Sequence, residues 1–154
     1  VLVMPAASAP LRNDNRLFSY RERFHLLRRL FKKEIQEGGV VLSWLEHRLP
    51  QPNYTVHTLD TLKKICPQEP TIVIGADQAE KIQHWQRSDF LVQNYTFLIF
   101  ARGGVGGDQP LQLVPGMRYT IEKDFNEDIS ATQVRASLSK LSAQERLDAV
   151  EKWG

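Results

Sequence analysis

Cysteine is almost absent from this sequence. Cys66 stands alone among 154 residues, so no internal disulfide can form, and a reducing, cytoplasmic location is expected. Long apolar runs are missing as well. None approaches the roughly 20 residues of a membrane span, and no basic region precedes the opening VLVMP, so no membrane association is expected. Nor is there an excess of charge of one sign. Twenty Lys and Arg face 18 Asp and Glu, and a net charge of +2 provides no broad field for a nucleic-acid backbone. No nucleic-acid partner is expected, and any anion the protein binds must be held locally. His25, His47, His57 and His84 lack paired metal-ligand spacing, so no protein metal site is expected. The run Gly103-Gly104-Val105-Gly106-Gly107 fits neither GxGxxG nor GxxxxGK[ST] and reads as a connector.

What remains is ordinary globular material: 42% hydrophobic, 25% charged and 9% aromatic residues, at a length suited to a single domain over 1–154. Short apolar runs alternate with segments of helical period, which predicts an α/β fold with a parallel sheet wrapped by helices. Strands are expected at Val1 to Met4, Val40 to Trp44, Thr71 to Gly75 and Tyr95 to Ala101, with TIVIG and TFLIF buried on both faces. Ser19 with Glu22 forms a capping box opening a helix with Phe24, Leu27, Phe31 and Ile35 on one stripe and a basic opposite face. Further helices are expected from Thr55 until Pro67 stops it, from Ser130 with Val134, Leu138 and Leu141 inward, and from Ala143 to Trp153. The chain opens at Val1, inside an apolar strand and without Met, which predicts that the sequence is incomplete at its N-terminus.

Two constellations carry chemistry. In Ile129-Ser130-Ala131-Thr132-Gln133-Val134-Arg135, Ser130 and Gln133 make a second capping box, which by itself describes a helix that only packs. Arg135 lies within about two turns of that helix start, where the macrodipole gives a cation no benefit. Two readings stand here: an anion that reconciles the two, with free amides, the Ser130 and Thr132 hydroxyls and the Arg135 fork as a phosphate cradle, or an exposed first-turn arginine, which is common, on a helix that only packs. The other constellation is Gly75-Ala76-Asp77, directly after TIVI, at the carboxyl end of a parallel strand where open α/β sheets bind ligands. Asp77 either accepts hydrogen bonds from a ribose or caps a helix carrying Ala79 and Ile82. Trp85, at the end of that helix, is either core or a stacking platform.

Taken together, TIVIGADQAEKIQHW, PNYTVHTLDTL and DISATQVRASL, in this order and at these intervals, resemble the bacterial nicotinate-nucleotide adenylyltransferases of the HxGH nucleotidyltransferase superfamily. The likeness covers almost the whole chain. VLVMPAASAPLR resembles that family's second strand and loop, Arg23 its helix arginine, and Glu46 with Tyr54-Thr55 its E…SYT segment. Gly75 and Asp77 match its GxD strand end, Trp85 its downstream tryptophan, Arg102 its strand-ending arginine, and Ile129 to Arg135 its ISxTxxR.

The resemblance implies a Rossmann-like domain that joins nicotinate mononucleotide to the adenylyl group of ATP, giving the dinucleotide precursor of NAD and pyrophosphate, with Mg2+ accompanying ATP. It assigns Gly75, Asp77, Arg102, Ser130, Thr132 and Arg135 to ATP, with Gly75 and Asp77 at the nucleotide riboses, and Thr55 and Trp85 to the pyridine ring. The partners it implies are the two nucleotides, and an oligomer is compatible with it. The sequence departs from the family in lacking the opening GGxFxPxHxGH, the family's first strand, loop and helix, so its catalytic histidines are not assigned here and the 154 residues alone are expected to be inactive. Ala9-Pro10-Leu11-Arg12 replaces a PPHK loop, and Asn53 stands where the family has serine. The alternative is an inactive relative that keeps a nucleotide-binding or interaction surface. The phosphopantetheine adenylyltransferases share the IS-type segment but not the SYT and GAD…W combination.

Overall fold

The computed structural model describes residues 1–8, 10, 17–101, 110–123 and 131–151. They fall into two compact units, Val1–Asn53 with Ile129–Gly154, and Tyr54–Asp128.

In the first unit, β1 (Leu2–Val3) pairs in parallel with β2 (Val41–Leu42). Both are shorter than the apolar runs that predict them. The Ser43 hydroxyl accepts from the Leu45 amide, turning the chain out of β2 into a one-turn helix, α3 (Leu45–Arg48). Between the strands lie α1 (Tyr20–Leu30) and α2 (Lys32–Gln36), where the sequence predicts one helix; the break falls at Phe31, whose amide bonds both Leu27 and Arg29 carbonyls. The expected capping box is present: Ser19 Oγ accepts from the Glu22 amide at 3.3 Å, and the Ser19 amide donates to Glu22 Oε2 at 2.7 Å. Phe24 is buried from the predicted stripe, and Leu27, Phe31 and Ile35 are half-buried. The C-terminal pair is α7 (Ala131–Leu138) and α8 (Ala143–Glu151), with Leu138 inward as expected. Ser142 and Glu145 make a reciprocal cap at the start of α8, and Arg146 Nε donates to the Leu138 and Leu141 carbonyls at the end of α7.

These caps set an acid limit. Hydrogen bonds from Ser19 hold the Glu22 carboxyl below the usual glutamate value of 4.5, and those from Ser142 do the same to Glu145. A lowered folded value means that the stabilisation is present above the unfolded value and lost as pH falls through the folded one. Helicity should therefore drop on acidification below about pH 4.5. In Ser19→Ala, which costs about 1 kcal/mol at neutral pH, the α1 part of that acid loss should disappear from the circular dichroism titration.

In the second unit, α4 (Thr55–Ile65) begins and ends near the predicted bounds, burying Val56, Leu59 and Leu62. It leads to β3 (Thr71–Gly75), then α5 (Ala76–Ala79), a 3-10 turn at Ile82–His84, α6 (Ser88–Asn94), β4 (Thr96–Phe100) and β5 (Arg118–Glu122). The sheet is parallel throughout, in the order β3-β4-β5, with Gly75 opposite Phe100 and Phe100 opposite Glu122. That even register places the three carboxyl ends on one rim. Phe97 and Ile99 are fully buried, but Val73 is 55% exposed and Leu98 half-buried. The expectation that TIVIG and TFLIF are buried on both faces is thus corrected: one face of β4 is buried and the other half-buried, while β3 exposes Thr71 and Val73. Among the described residues no helix is long and apolar enough to cross a membrane.

Candidate functional site

The rim of the second unit carries the GxD turn. Gly75 ends β3 in extended conformation and caps α5 with its backbone, and Asp77 is the second residue of that helix. Asp77 is therefore not the helix cap that the sequence allows. Its carboxylate is exposed, accepts from Gln78 Nε2 at 2.9 Å, and lies so close to Gly75 that a Cβ built there would sit 2.8 Å from Oδ1. Glycine at 75 is thus what lets the carboxylate fold back over the strand end. Gly75→Ala should swing that carboxylate aside, weakening nucleotide binding about 10-fold while shifting the melting temperature little; equal losses in both would assign Gly75 to packing alone.

The predicted long helix after Asp77 is also corrected. Ala76, Ala79 and Ile82 are all fully buried at a spacing of three, and α5 stops after one turn before the 3-10 turn takes over. A period of three suits 3-10 geometry, in which residues three apart stack on one face. Trp85 follows that turn in extended conformation and is half-buried, so part of its surface stays available beyond packing. Thr55, the first residue of α4, is also half-buried at a helix start that no side chain caps. Gly75, Asp77, Thr55 and Trp85 thus share one unit, and each stands at the end or start of an element. Arg102 and Ser130 lie outside the described residues, as do Gly103-Gly104-Val105-Gly106-Gly107 and Arg12. The backbone of Thr132 lies in α7, its side chain outside the description. Arg135 is exposed on α7, in the first unit.

The first unit holds a second arrangement, whose network the residue pattern alone did not reveal. The loop leaving β1 is pinned by side chains from three places. Arg23 Nη1 of α1 donates to the Ala6 carbonyl at 2.7 Å, Glu46 Oε2 of α3 accepts from the Ala7 amide at 3.2 Å, and Asn53 Oδ1 accepts from the Ser8 amide at 2.8 Å. Asn53 is buried, and its Nδ2 also donates to the Glu46 and Pro50 carbonyls at 3.0 and 3.3 Å. Beside this clamp, Tyr20 stacks on His47 with ring centroids 4.6 Å apart, and Phe24 stacks on Trp44 at 4.0 Å. Burial and then the Glu46 carboxylate push the Tyr20 hydroxyl above the ordinary tyrosine range, with Arg23 opposing, so it stays protonated at neutral pH. Arg23 and Glu46 entered only through the resemblance. For Asn53 the sequence signal is an amide side chain just before a helix start, a position that favours bonding to backbone.

A parallel α/β sheet with a glycine-carboxylate turn at its carboxyl rim belongs to the Rossmann-like class of nucleotide-binding folds. Comparison with known proteins agrees. The cytidylyltransferase-like family model matches residues 1–137, and the chain belongs to that family. It is 30% identical over 136 residues to a probable nicotinate-nucleotide adenylyltransferase of Porphyromonas gingivalis, an alignment covering 88% of this chain and 66% of the relative. A protein of the same description from Bacteroides fragilis is 33% identical over 99 residues, 64% of this chain and 48% of that one. A solved structure of Plasmodium falciparum nicotinic acid mononucleotide adenylyltransferase complexed with NaAD superimposes with a TM-score of 0.72 at 20% identity, covering 99% of this chain and 80% of that one. That likeness establishes the Rossmann-like α/β fold. The chain spans from about half to two thirds of the length of these curated relatives.

Proposed function

We propose that the protein transfers the adenylyl group of ATP to nicotinate mononucleotide, forming nicotinate adenine dinucleotide and pyrophosphate. The observation that carries this reading is the GxD turn on the rim of β3, with Gly75 held bare against the Asp77 carboxylate. The names of the relatives and the family match, which runs through residues of both units, support it, and support reading 1–154 as one nucleotidyltransferase-like domain.

In this reaction a mononucleotide phosphate oxygen attacks the α-phosphorus of ATP, a P–O bond forms, and the bond to the β,γ-pyrophosphate breaks. No nucleophile from the protein is required; positioning and charge stabilisation do the work. Asp77 accepts from a ribose hydroxyl, with Gly75 allowing the backbone to approach. Arg102, Ser130, Thr132 and Arg135 hold the ATP phosphates, and Thr55 and Trp85 frame the pyridine ring. Among the described residues no group of three or more His, Cys, Asp or Glu is placed to hold a metal. Magnesium would come with the ATP and neutralise charge on its phosphates.

Expressed from its native coding sequence, the protein should release pyrophosphate from ATP when nicotinate mononucleotide is supplied, and not when phosphopantetheine is. Release with phosphopantetheine alone, or with neither acceptor, would remove the proposal.

A further inference from the structure

Arg87 is the one described non-glycine residue with a left-handed backbone, at φ 54° and ψ 43°. Glycine adopts this conformation freely and a branched or long side chain does so at a cost, so an arginine here calls for a use of its side chain. The structure supplies one. The guanidinium lies over the Phe90 ring, 4.3 Å from its centroid, and Nη1 reaches Asp60 Oδ2 of α4 at 3.8 Å. Both ends of this link lead to residues assigned to the pyridine ring. Trp85 is two residues upstream, its carbonyl accepting from the Ser88 amide at 3.1 Å as α6 begins. Thr55 opens the same helix that carries Asp60.

We propose that Arg87 is a positioning residue for the mononucleotide: through Asp60 and Phe90 it fixes the segment bearing Trp85 against the helix bearing Thr55. This rests on the assignment of Trp85 and Thr55 to the ring made above. The side chains of Arg87 and Asp60 are 53% and 45% exposed, so the pair is too solvated to matter much to stability. Its effect is on geometry, and it should appear in binding of one ligand rather than in the melting temperature.

The test is calorimetric titration of nicotinate mononucleotide and, separately, ATP into the wild-type chain, Asp60→Asn, Arg87→Gly, Arg87→Lys, Asp60→Asn with Arg87→Gly, and Trp85→Ala. Arg87→Gly keeps the left-handed backbone available but also loosens it, so Asp60→Asn, which leaves the backbone unchanged, carries the side-chain comparison. Asp60→Asn and Arg87→Gly should each weaken mononucleotide binding about five-fold, leave ATP within about two-fold, and combine without further loss, because they break one link. Arg87→Lys, which keeps the cation, should recover part of the loss. A Trp85→Ala loss with Asp60→Asn or Arg87→Gly unchanged overturns the positioning role and leaves the ring assignment standing. Equal losses for both ligands with a lowered melting temperature also overturn it. No mononucleotide binding by the wild-type chain, or none lost in Trp85→Ala, overturns the ring assignment and this inference with it.

Discussion

Asn53→Ala should destabilise the protein by about 3 kcal/mol, the largest loss expected from any single truncation of a polar side chain described above. The side chain is buried, and its removal takes the partner of the Ser8 amide and the Nδ2 bonds to the Glu46 and Pro50 carbonyls in one step, leaving the Glu46 carbonyl the longer bond from the Leu49 amide at 3.4 Å. A buried polar group left unsatisfied costs about 1–3 kcal/mol, which falls mainly on the Ser8 amide, because Pro50 is exposed to water and the Glu46 carbonyl keeps the Leu49 amide. Asn53→Ser, the residue at this place in the family the chain resembles, keeps a single hydroxyl and should recover only part of the loss. Urea unfolding of the two variants beside wild type checks the ordering. Asn53→Ala within about 0.5 kcal/mol of wild type would show that the clamp on the β1 loop is not a stabilising contact.

Arg135→Ala should weaken ATP binding about 10–100-fold, the ~1.5–3 kcal/mol of a charge-assisted contact to phosphate, while costing stability within about 0.5 kcal/mol. Arg135 is exposed on α7, four residues from the first residue of that helix, so truncation opens no buried space. Arg135→Lys keeps the charge but not the fork, and should fall between the two. Parallel measurement of ATP affinity and melting temperature separates the outcomes. Unchanged ATP affinity in Arg135→Ala would end the phosphate assignment, whatever the fate of the rim residues.

Much of the fold was legible because several local signals agreed. The helix from Thr55 combines the right period with a clear stop, TIVIG is a short β-branched run ended by glycine, and Ser19 with Glu22 states a helix start in two side chains. Where signals were short or ambiguous, the reading failed. LEHR is a single turn, too brief for a periodic pattern to show. Ala76, Ala79 and Ile82 fit an α-helix nearly as well as they fit 3-10 turns, and only the backbone decides between them. RYTIE alternates polar and apolar side chains over only five residues, a strand signal weaker than the continuous apolar run of β4.

The site was legible in a different way. Gly75-Ala76-Asp77 could be placed at a strand end from the pattern alone, but the 2.8 Å approach of the Asp77 carboxylate to the place of a Gly75 Cβ depends on a side-chain rotation no spacing encodes. The same holds for Asn53. Its four bonds with the Ser8, Glu46 and Pro50 backbones join residues as far as 45 positions apart in sequence, a relation that appears only once the chain is folded.

The most direct test of the nucleotide-site assignment is an amide and indole chemical-shift titration of the 154-residue chain with nicotinate adenine dinucleotide. Shifts should concentrate at the amides of Gly75, Ala76, Asp77 and Thr55 and at the Trp85 indole, with the amino ends of β3 and β4, at Thr71 and Thr96, unmoved. A dinucleotide that shifts Thr71 and Thr96 and spares the Gly75 to Asp77 turn, or shifts nothing at millimolar concentration, would contradict it.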